Sequence, residues 1–451
     1  MMRVGSPWRQ FVEVGHWPTL LCAFLYFDVS FLLWMLIGSL AIFLAQELNL
    51  SPAEKGLMVA VPVLSGACLR VLAGVVADRV GARRAALLGM GLTGVALLSG
   101  GLLIRDFTTA LVTGALLGVA GASFAIALPL ASRWYPPEYQ GLAMGIAGAG
   151  NSGTVLAAFF APRLAEWVGW RGVFLWALLP LCLTLVVFLA VVREPPGPAA
   201  QPSDRRLFGE GDLWWLCAFY MLTFGGFVGL GSFLPVLLAD QYALPAVTAG
   251  SWTAACVLAG SGLRPVGGWL ADRNGGVPVL SGVFLLVAAL ALYLTSLPEK
   301  ASGIAALVAL VGALGIGNGA VFQLVGQRFS AHVGKATGMI GAAGGLGGFV
   351  LPSLLGAVRQ WQGGYGAGFA VFACAALTVW CALRVLERRW RRTWGKSGNQ
   401  PCPREAQLGS GIQRCLWHAP AVLDRSEPLR LQGHACEACG RGLGCQWLQS
   451  W

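Results

Sequence analysis

The chain has 451 residues, of which 56% are apolar and only 11% are charged, and its mean hydropathy is +0.68. A soluble domain carries about 25% charged residues, so this composition excludes an ordinary soluble protein and predicts a chain embedded in lipid. The formal net charge of +11 would suit nucleic acid in a soluble protein, but here basic loops beside the membrane explain it, and we expect no nucleic-acid partner.

Apolar runs of about twenty residues, the length that crosses a bilayer, recur along the chain. We predict twelve membrane spans, at residues 18–45, 53–77, 84–104, 107–131, 138–162, 171–192, 213–238, 246–271, 277–297, 301–326, 335–358 and 366–388. The sequence therefore predicts an all-α membrane protein with twelve transmembrane helices in two pseudo-symmetric six-helix bundles. The predicted parts are an N-terminal bundle at 1–192, a cytoplasmic linker at 193–212, a C-terminal bundle at 213–390 and a disordered cytoplasmic tail at 391–451.

The orientation of the spans follows from the basic residues, which concentrate in alternate loops and beside the tails. Residues 79–84, 193–206 and 384–396 hold most of them. Because loops rich in Lys and Arg stay in the cytoplasm, both termini are predicted to be cytoplasmic in a multi-pass protein of the cell membrane. We expect membrane lipid around it and a monomer as its working form.

Two stretches are near-copies of each other, at residues 64–79 in the second span and 258–273 in the eighth. The shared residues recur 194 positions later, and they include Arg70 and Arg264. An arginine inside hydrocarbon costs about 2.5–3.5 kcal/mol on insertion scales, so it marks a functional site by default. Two similar halves in one orientation place a binding site between them near the midplane. We therefore predict that Arg70 and Arg264 face each other and hold an anion; the alternative is that each arginine only pairs with a carboxylate or a carbonyl.

Glycine is concentrated in the fifth span, at residues 145–153, and in the eleventh, at residues 338–348. One interpretation is close helix packing, because small residues let membrane helices approach each other. The other is that bare backbone lets a small ligand reach the helix. Asn151 favours the second interpretation in its own span, because an amide within a membrane needs a partner, either a ligand or a neighbouring helix.

The chain resembles the nitrate/nitrite porters, a branch of the major facilitator superfamily, over about residues 15–390. The resemblance rests on Gly-Ala-Gly-Asn-Ser-Gly at 148–153, Gly-Gly-Phe-Val-Leu-Pro at 347–352 and the paired arginines. It implies the major facilitator fold and transport of nitrate and nitrite by alternating access. It also implies a set of substrate-binding residues: Arg70, Arg264, Asn151, Phe124, Phe322, Tyr220, Gly150 and Gly344. A guanidinium matches such a planar oxyanion bidentately, which independently favours this substrate.

Two further features suggest roles in coupling and switching. Asp28 is an acidic residue well inside the first span, and we interpret it as a candidate proton carrier; the alternative is a fixed partner for an arginine or a polar helix contact. Charged residues also end the two repeated spans. In the family resemblance these are conformational-switch residues, and the alternative is solvated caps: Asp78, Arg79, Asp272 and Arg273.

Other functions stay open at this point. The chain could exchange nitrate for nitrite rather than import nitrate with protons, carry another small anion, or sense an anion without transporting it. No nucleophile–base pair or phosphate loop indicates an enzyme. The tail contains one Cys-x-x-Cys pair at Cys436 and Cys439, and a zinc site usually needs a second such half, so no metal or cofactor is predicted.

Overall fold

The computed structural model describes residues 7–194, 209–329 and 333–393, and these residues form helices and no strands. The helices are α1 Pro7–Val14, α2 Trp17–Trp34, α3 Leu36–Ser39, α4 Ala41–Glu47, α5 Pro52–Val80, α6 Ala82–Leu102, α7 Phe107–Gly121, α8 Phe124–Ser132, α9 Pro137–Gly148, α10 Gly153–Trp176, α11 Leu178–Val191, α12 Gly211–Tyr242, α13 Ala246–Asn274, α14 Gly276–Thr295, α15 Lys300–Arg328, α16 Val333–Gln362 and α17 Gly366–Thr393. We call residues 7–194 the N-terminal half and residues 209–393 the C-terminal half. Most of the predicted linker and nearly all of the predicted tail lie outside the described residues.

Eleven helical stretches in the described ranges are long and apolar enough to cross a membrane. One of them, Ala143–Val191, has 49 residues, which at about 1.5 Å per residue is more than twice the thickness of the hydrocarbon core. It is interrupted at Gly169, where φ is +71°. This stretch therefore contains the predicted fifth and sixth spans, and the prediction of a twelve-helix membrane fold is confirmed.

Four predicted spans are not continuous helices, namely 18–45, 107–131, 138–162 and 171–192, and the first two divisions border the site. The run at 18–45 is divided among α2, α3 and α4, and the run at 107–131 is divided between α7 and α8. The first division lies where Gly38 meets α12: a Cβ on Gly38 would be 2.8 Å from the carbonyl oxygen of Ser232. The second lies where Gly121 packs against the Trp34 ring, which a Cβ would approach to 2.5 Å. Both interruptions occur beside close contacts with neighbouring helices.

The repeated helices α5 and α13 end in the same way. Gly81 has φ of +93° and its N–H donates to the carbonyl of Ala77; Gly275 has φ of +87° and donates to Ala271. Positive φ is strained for any residue with a Cβ, so glycine ends each helix. The repeat seen in the sequence is thus also a repeat of backbone conformation.

The two halves touch closely at one end of the helices. There a Cβ on Gly56 of α5 would lie 2.5 Å from the carbonyl oxygen of Pro352 on α16. Lys55 pairs with both carboxylate oxygens of Asp240 at 3.1 Å, and the Tyr365 hydroxyl donates to the same carboxylate at 3.1 Å. We call this the closed end.

Toward the opposite end, glycines of the same two helices face open space. A Cβ on Gly74 of α5 or on Gly338 of α16 would meet nothing within 4 Å. The charged residues that end the repeated spans lie at this end, and their side chains are exposed: Asp78, Arg79, Asp272 and Arg273. We call it the open end.

Candidate functional site

Arg70 is buried within α5, with 3% of its surface exposed. Its Nε donates to the carbonyl oxygen of Gly121 at 3.1 Å, and its Nη1 donates to that of Gly341 at 2.7 Å. Gly121 is the last residue of α7, so its carbonyl lacks the partner that a continuing helix would supply. Gly341 belongs to α16, so Arg70 bridges the two halves. Its remaining nitrogen, Nη2, is buried without a hydrogen-bond partner.

Four aromatic rings border the Arg70 guanidinium. Its Cζ lies 5.5 Å from the ring centroids of Trp34 and Phe124, 5.6 Å from Phe224 and 6.0 Å from Phe31. Ring faces at this distance attract a cation, and their apolar surfaces keep water away from it. The charge of Arg70 is therefore held in surroundings where electrostatic interactions are strong.

Arg264 occupies the equivalent position on α13 and is half-buried. Its Nη2 donates to the Tyr220 hydroxyl at 3.3 Å, and its Cζ lies 5.2 Å from the Phe322 centroid. Tyr220 stacks on Phe224 with centroids 4.9 Å apart and meets Phe322 edge-on at 5.0 Å. Because Phe224 also borders Arg70, both arginines adjoin one aromatic cluster. We call the following set the arginine pocket: Arg70, Arg264, Phe124, Tyr220, Phe224 and Phe322.

Neither arginine of the pocket forms an ion pair with a carboxylate within the described ranges. The ion pairs within the described ranges join other residues, for example Lys55 with Asp240 and Arg328 with Asp212. A buried charge without a counter-charge is costly. The pocket is therefore suited to receive an anion.

A 3-10 turn, Ala149–Ser152, continues the fifth span and positions two polar side chains. The Asn151 Nδ2 donates to the Ser261 hydroxyl oxygen on α13 at 3.2 Å, while its Oδ1 is buried without a partner. The neighbouring Ser152 hydroxyl donates to Asp28 Oδ1 at 2.6 Å. Asp28 is buried, with 8% of its surface exposed. One short turn thus contacts both the predicted proton carrier and the helix that bears Arg264.

The two glycines predicted to bind substrate lie in close helix contacts. A Cβ on Gly150 would lie 2.9 Å from the backbone nitrogen of Asp28, and one on Gly344 would lie 2.6 Å from the Tyr220 ring. Their missing side chains let the fifth span approach α2 and let Tyr220 approach α16. Close packing is therefore the role that their surroundings support directly.

The remaining predicted residues lie apart from the pocket. Asp78, Arg79 and Asp272 are exposed at the open end, and Arg273 is exposed there with its Cζ 4.3 Å from the Trp269 ring. No hydrogen bond described for Arg70 or Arg264 involves them.

Several residues of the site were not predicted from the sequence. Phe224 lies one helical turn after Tyr220, and Ser261 lies one turn before Arg264, so helical spacing around predicted residues would have found both. Helical spacing could not indicate Trp34, because this residue contacts Arg70 from another helix. A pattern of side chains also cannot predict that Arg70 donates to the backbone carbonyls of Gly121 and Gly341.

Comparisons with known proteins agree with this architecture. The family model of the Major Facilitator Superfamily matches residues 22–352. The chain is 37% identical over 379 residues to the probable nitrate/nitrite transporter NarK2 of Mycobacterium tuberculosis, covering 80% of this chain and 94% of that protein. It is 34% identical over 354 residues to the nitrite extrusion protein of Bacillus subtilis (77% and 89% covered) and 30% identical over 423 residues to the probable nitrate/nitrite antiporter NarK1 of Thermus thermophilus (84% and 95% covered).

Among solved structures, the chain is similar in fold to a bacterial homologue of the human lysosomal transporter Spinster in an inward-facing and occupied conformation. The TM-score is 0.67 at 19% sequence identity, covering 88% of this chain and 100% of that one.

Proposed function

This chain belongs to the major facilitator superfamily and has nitrate/nitrite transporters as its relatives, and from that premise we propose that it carries nitrate and nitrite across the membrane. The chain is a carrier and not an enzyme. It works by alternating access, in which two bundles, residues 1–192 and 213–390, rock about an anion held between them. The linker at 193–212 joins the bundles, and one chain suffices for transport.

The observation that carries this proposal is the unsatisfied charge of Arg70. Its guanidinium is buried, it has no carboxylate partner within the described ranges, and its Nη2 has no acceptor. A small monovalent anion supplies both a counter-charge and an acceptor. A planar oxyanion also matches the planar fork of the guanidinium, which a spherical ion does not.

The other residues of the pocket complete the proposed anion site. Arg264 supplies the second cation from the C-terminal half, and the rings of the pocket give a planar ion apolar faces to lie against. Glycine leaves room for close approach of the helices. The substrate-binding residues we propose are Arg70, Arg264, Asn151, Phe124, Phe322, Tyr220, Gly150 and Gly344.

We assign the open end to the cytoplasm. This assignment follows from the basic loops of the sequence, which place both termini of this cell-membrane protein in the cytoplasm. The open space at Gly74 of α5 and Gly338 of α16 then supports an inward-facing state. Closure of this end brings together the loops that contain Asp78–Arg79 and Asp272–Arg273, and this contact is their proposed switching role.

Coupling to protons is assigned to Asp28. It is buried, it accepts a hydrogen bond from Ser152, and that residue follows Asn151 in the same turn. Asp28→Asn is therefore expected to keep nitrate counterflow but to lose uptake driven by a pH gradient. Asp106→Asn, in an exposed helix cap, is the matched control and should keep both. Full pH-driven uptake by Asp28→Asn would remove this coupling role from Asp28. Absence of pH-driven uptake by the unaltered chain would leave exchange of nitrate for nitrite.

Counterflow in proteoliposomes tests the substrate assignment. Vesicles loaded with nitrate should take up labelled nitrate, external nitrite should compete with it, and acetate and sulfate should not. Strong competition by a carboxylate would identify a carrier for another anion. Binding of nitrate without any flux would identify an anion sensor instead.

A further inference from the structure

Ser261 is a polar residue of the repeated stretch 258–273 that is not among the predicted site residues. It lies on α13 three residues before Arg264, so the two side chains occupy neighbouring positions on one helix face. Its hydroxyl oxygen accepts the hydrogen bond from Asn151 Nδ2 at 3.2 Å. This bond crosses from the N-terminal to the C-terminal half, beside the arginine pocket.

Among the residues that the structure describes, nothing accepts the hydroxyl proton of Ser261. A serine hydroxyl can donate one hydrogen bond while it accepts others. On the same helix, Ser251 donates to the carbonyl of Val247 and Thr253 donates to that of Ala249, each at 2.8 Å. Ser261 makes no such bond: within the described ranges its hydroxyl has no acceptor.

The surroundings favour an anion as that acceptor. Asn151 is 6% exposed and donates toward Ser261, and Arg264 is on the adjacent turn of α13. The hydrogen bond that Ser261 accepts from Asn151 polarises the Ser261 O–H. This strengthens the bond that the O–H donates to a negatively charged acceptor. A ligand with only acceptor atoms, such as nitrate or nitrite, fits this arrangement.

We propose that Ser261 is a further anion-binding residue, which accepts from Asn151 and donates its hydroxyl proton to an oxygen of the transported anion. This inference rests on the proposed function and extends its binding site by one donor. It makes Asn151 a residue that acts on the anion partly through Ser261.

Transport kinetics of the full chain in proteoliposomes test the proposal. Ser261→Ala should raise the KM for nitrate and nitrite about ten- to a hundredfold, the effect of losing a hydrogen bond to a charged group, with a smaller change in maximal rate. Ser261→Thr keeps a hydroxyl and should stay near the wild-type KM. Ser281→Ala is the matched control, because Ser281 also accepts one side-chain N–H, from Trp380 at 2.9 Å, on a helix outside the pocket.

The outcomes separate this inference from the proposed function. A wild-type KM in Ser261→Ala, while Arg264→Lys is impaired, overturns the role of Ser261 and leaves the arginine clamp standing. A fall in maximal rate at unchanged KM also overturns it, because that pattern indicates a contact between the halves and no contact with the anion. Wild-type transport in both variants overturns the anion site itself. If the alanine variant does not fold, Ser261→Cys, a weaker donor of similar size, should give an intermediate KM, and a wild-type KM there rejects the proposal.

Discussion

Arg70 and Arg264 occupy matching positions in the repeat, but the two halves surround them differently. Arg70 is buried, held by two backbone carbonyls and bordered by four rings. Arg264 is half-buried and held by one tyrosine hydroxyl and one ring. The repeat therefore keeps the charge and its position along the helix but not its surroundings. In this conformation Arg70 makes more contacts than Arg264.

The difference has a structural origin in the interrupted fourth span. The N-terminal half divides this span between α7 and α8, which leaves the Gly121 carbonyl for Arg70. The matching helix of the C-terminal half, α15, is continuous from Lys300 to Arg328, so it has no interruption that would free a carbonyl at the corresponding place. Arg264 instead donates to a side chain, the Tyr220 hydroxyl.

The largest effect is expected for Arg70→Lys. An ammonium at the end of a flexible chain cannot reproduce the bonds of Nε and Nη1 to Gly121 and Gly341 and still bind an anion bidentately. We expect nitrate counterflow to fall roughly a hundredfold, as for the loss of one partner of a buried charged pair. Arg105→Lys, an exposed loop position, should transport normally. Unimpaired counterflow in Arg70→Lys would contradict the clamp.

A smaller effect is expected for Arg264→Lys. Its guanidinium is half-exposed and makes one hydrogen bond, to Tyr220, so lysine keeps the charge and loses chiefly the fork and this bond. Counterflow should fall about tenfold, the range of one hydrogen bond to a charged group. The same proteoliposome assay measures both arginine variants side by side. A greater loss in Arg264→Lys than in Arg70→Lys would reverse the comparison between the halves.

The sequence predicted the spans and the paired arginines because both are local signals. Length and hydropathy mark a span, and an arginine within it is costly wherever it points. The division between α7 and α8 was not predicted, since it depends on Gly121 packing against Trp34 from another helix. Its spacing from Arg264 would have placed Ser261 on the same helix face, but its bond with Asn151, 110 residues away in the chain, gives no local signal. Features that depend on contacts between distant helices therefore could not be predicted from the sequence.

The smallest effect is expected for glycine-to-alanine variants at the ends of α5 and α13. Alanine at either Gly81 or Gly275 must adopt positive φ, which destabilises by about 1 kcal/mol. At Gly81 the new Cβ would also lie 2.7 Å from the Glu194 carboxylate, which accepts the backbone N–H groups of Ala82 and Arg83. At Gly275 the nearest atom, on Pro278, is 3.5 Å away. Gly81→Ala should therefore have a lower thermal unfolding midpoint in detergent than Gly275→Ala, and equal midpoints would show that Glu194 moves aside without cost.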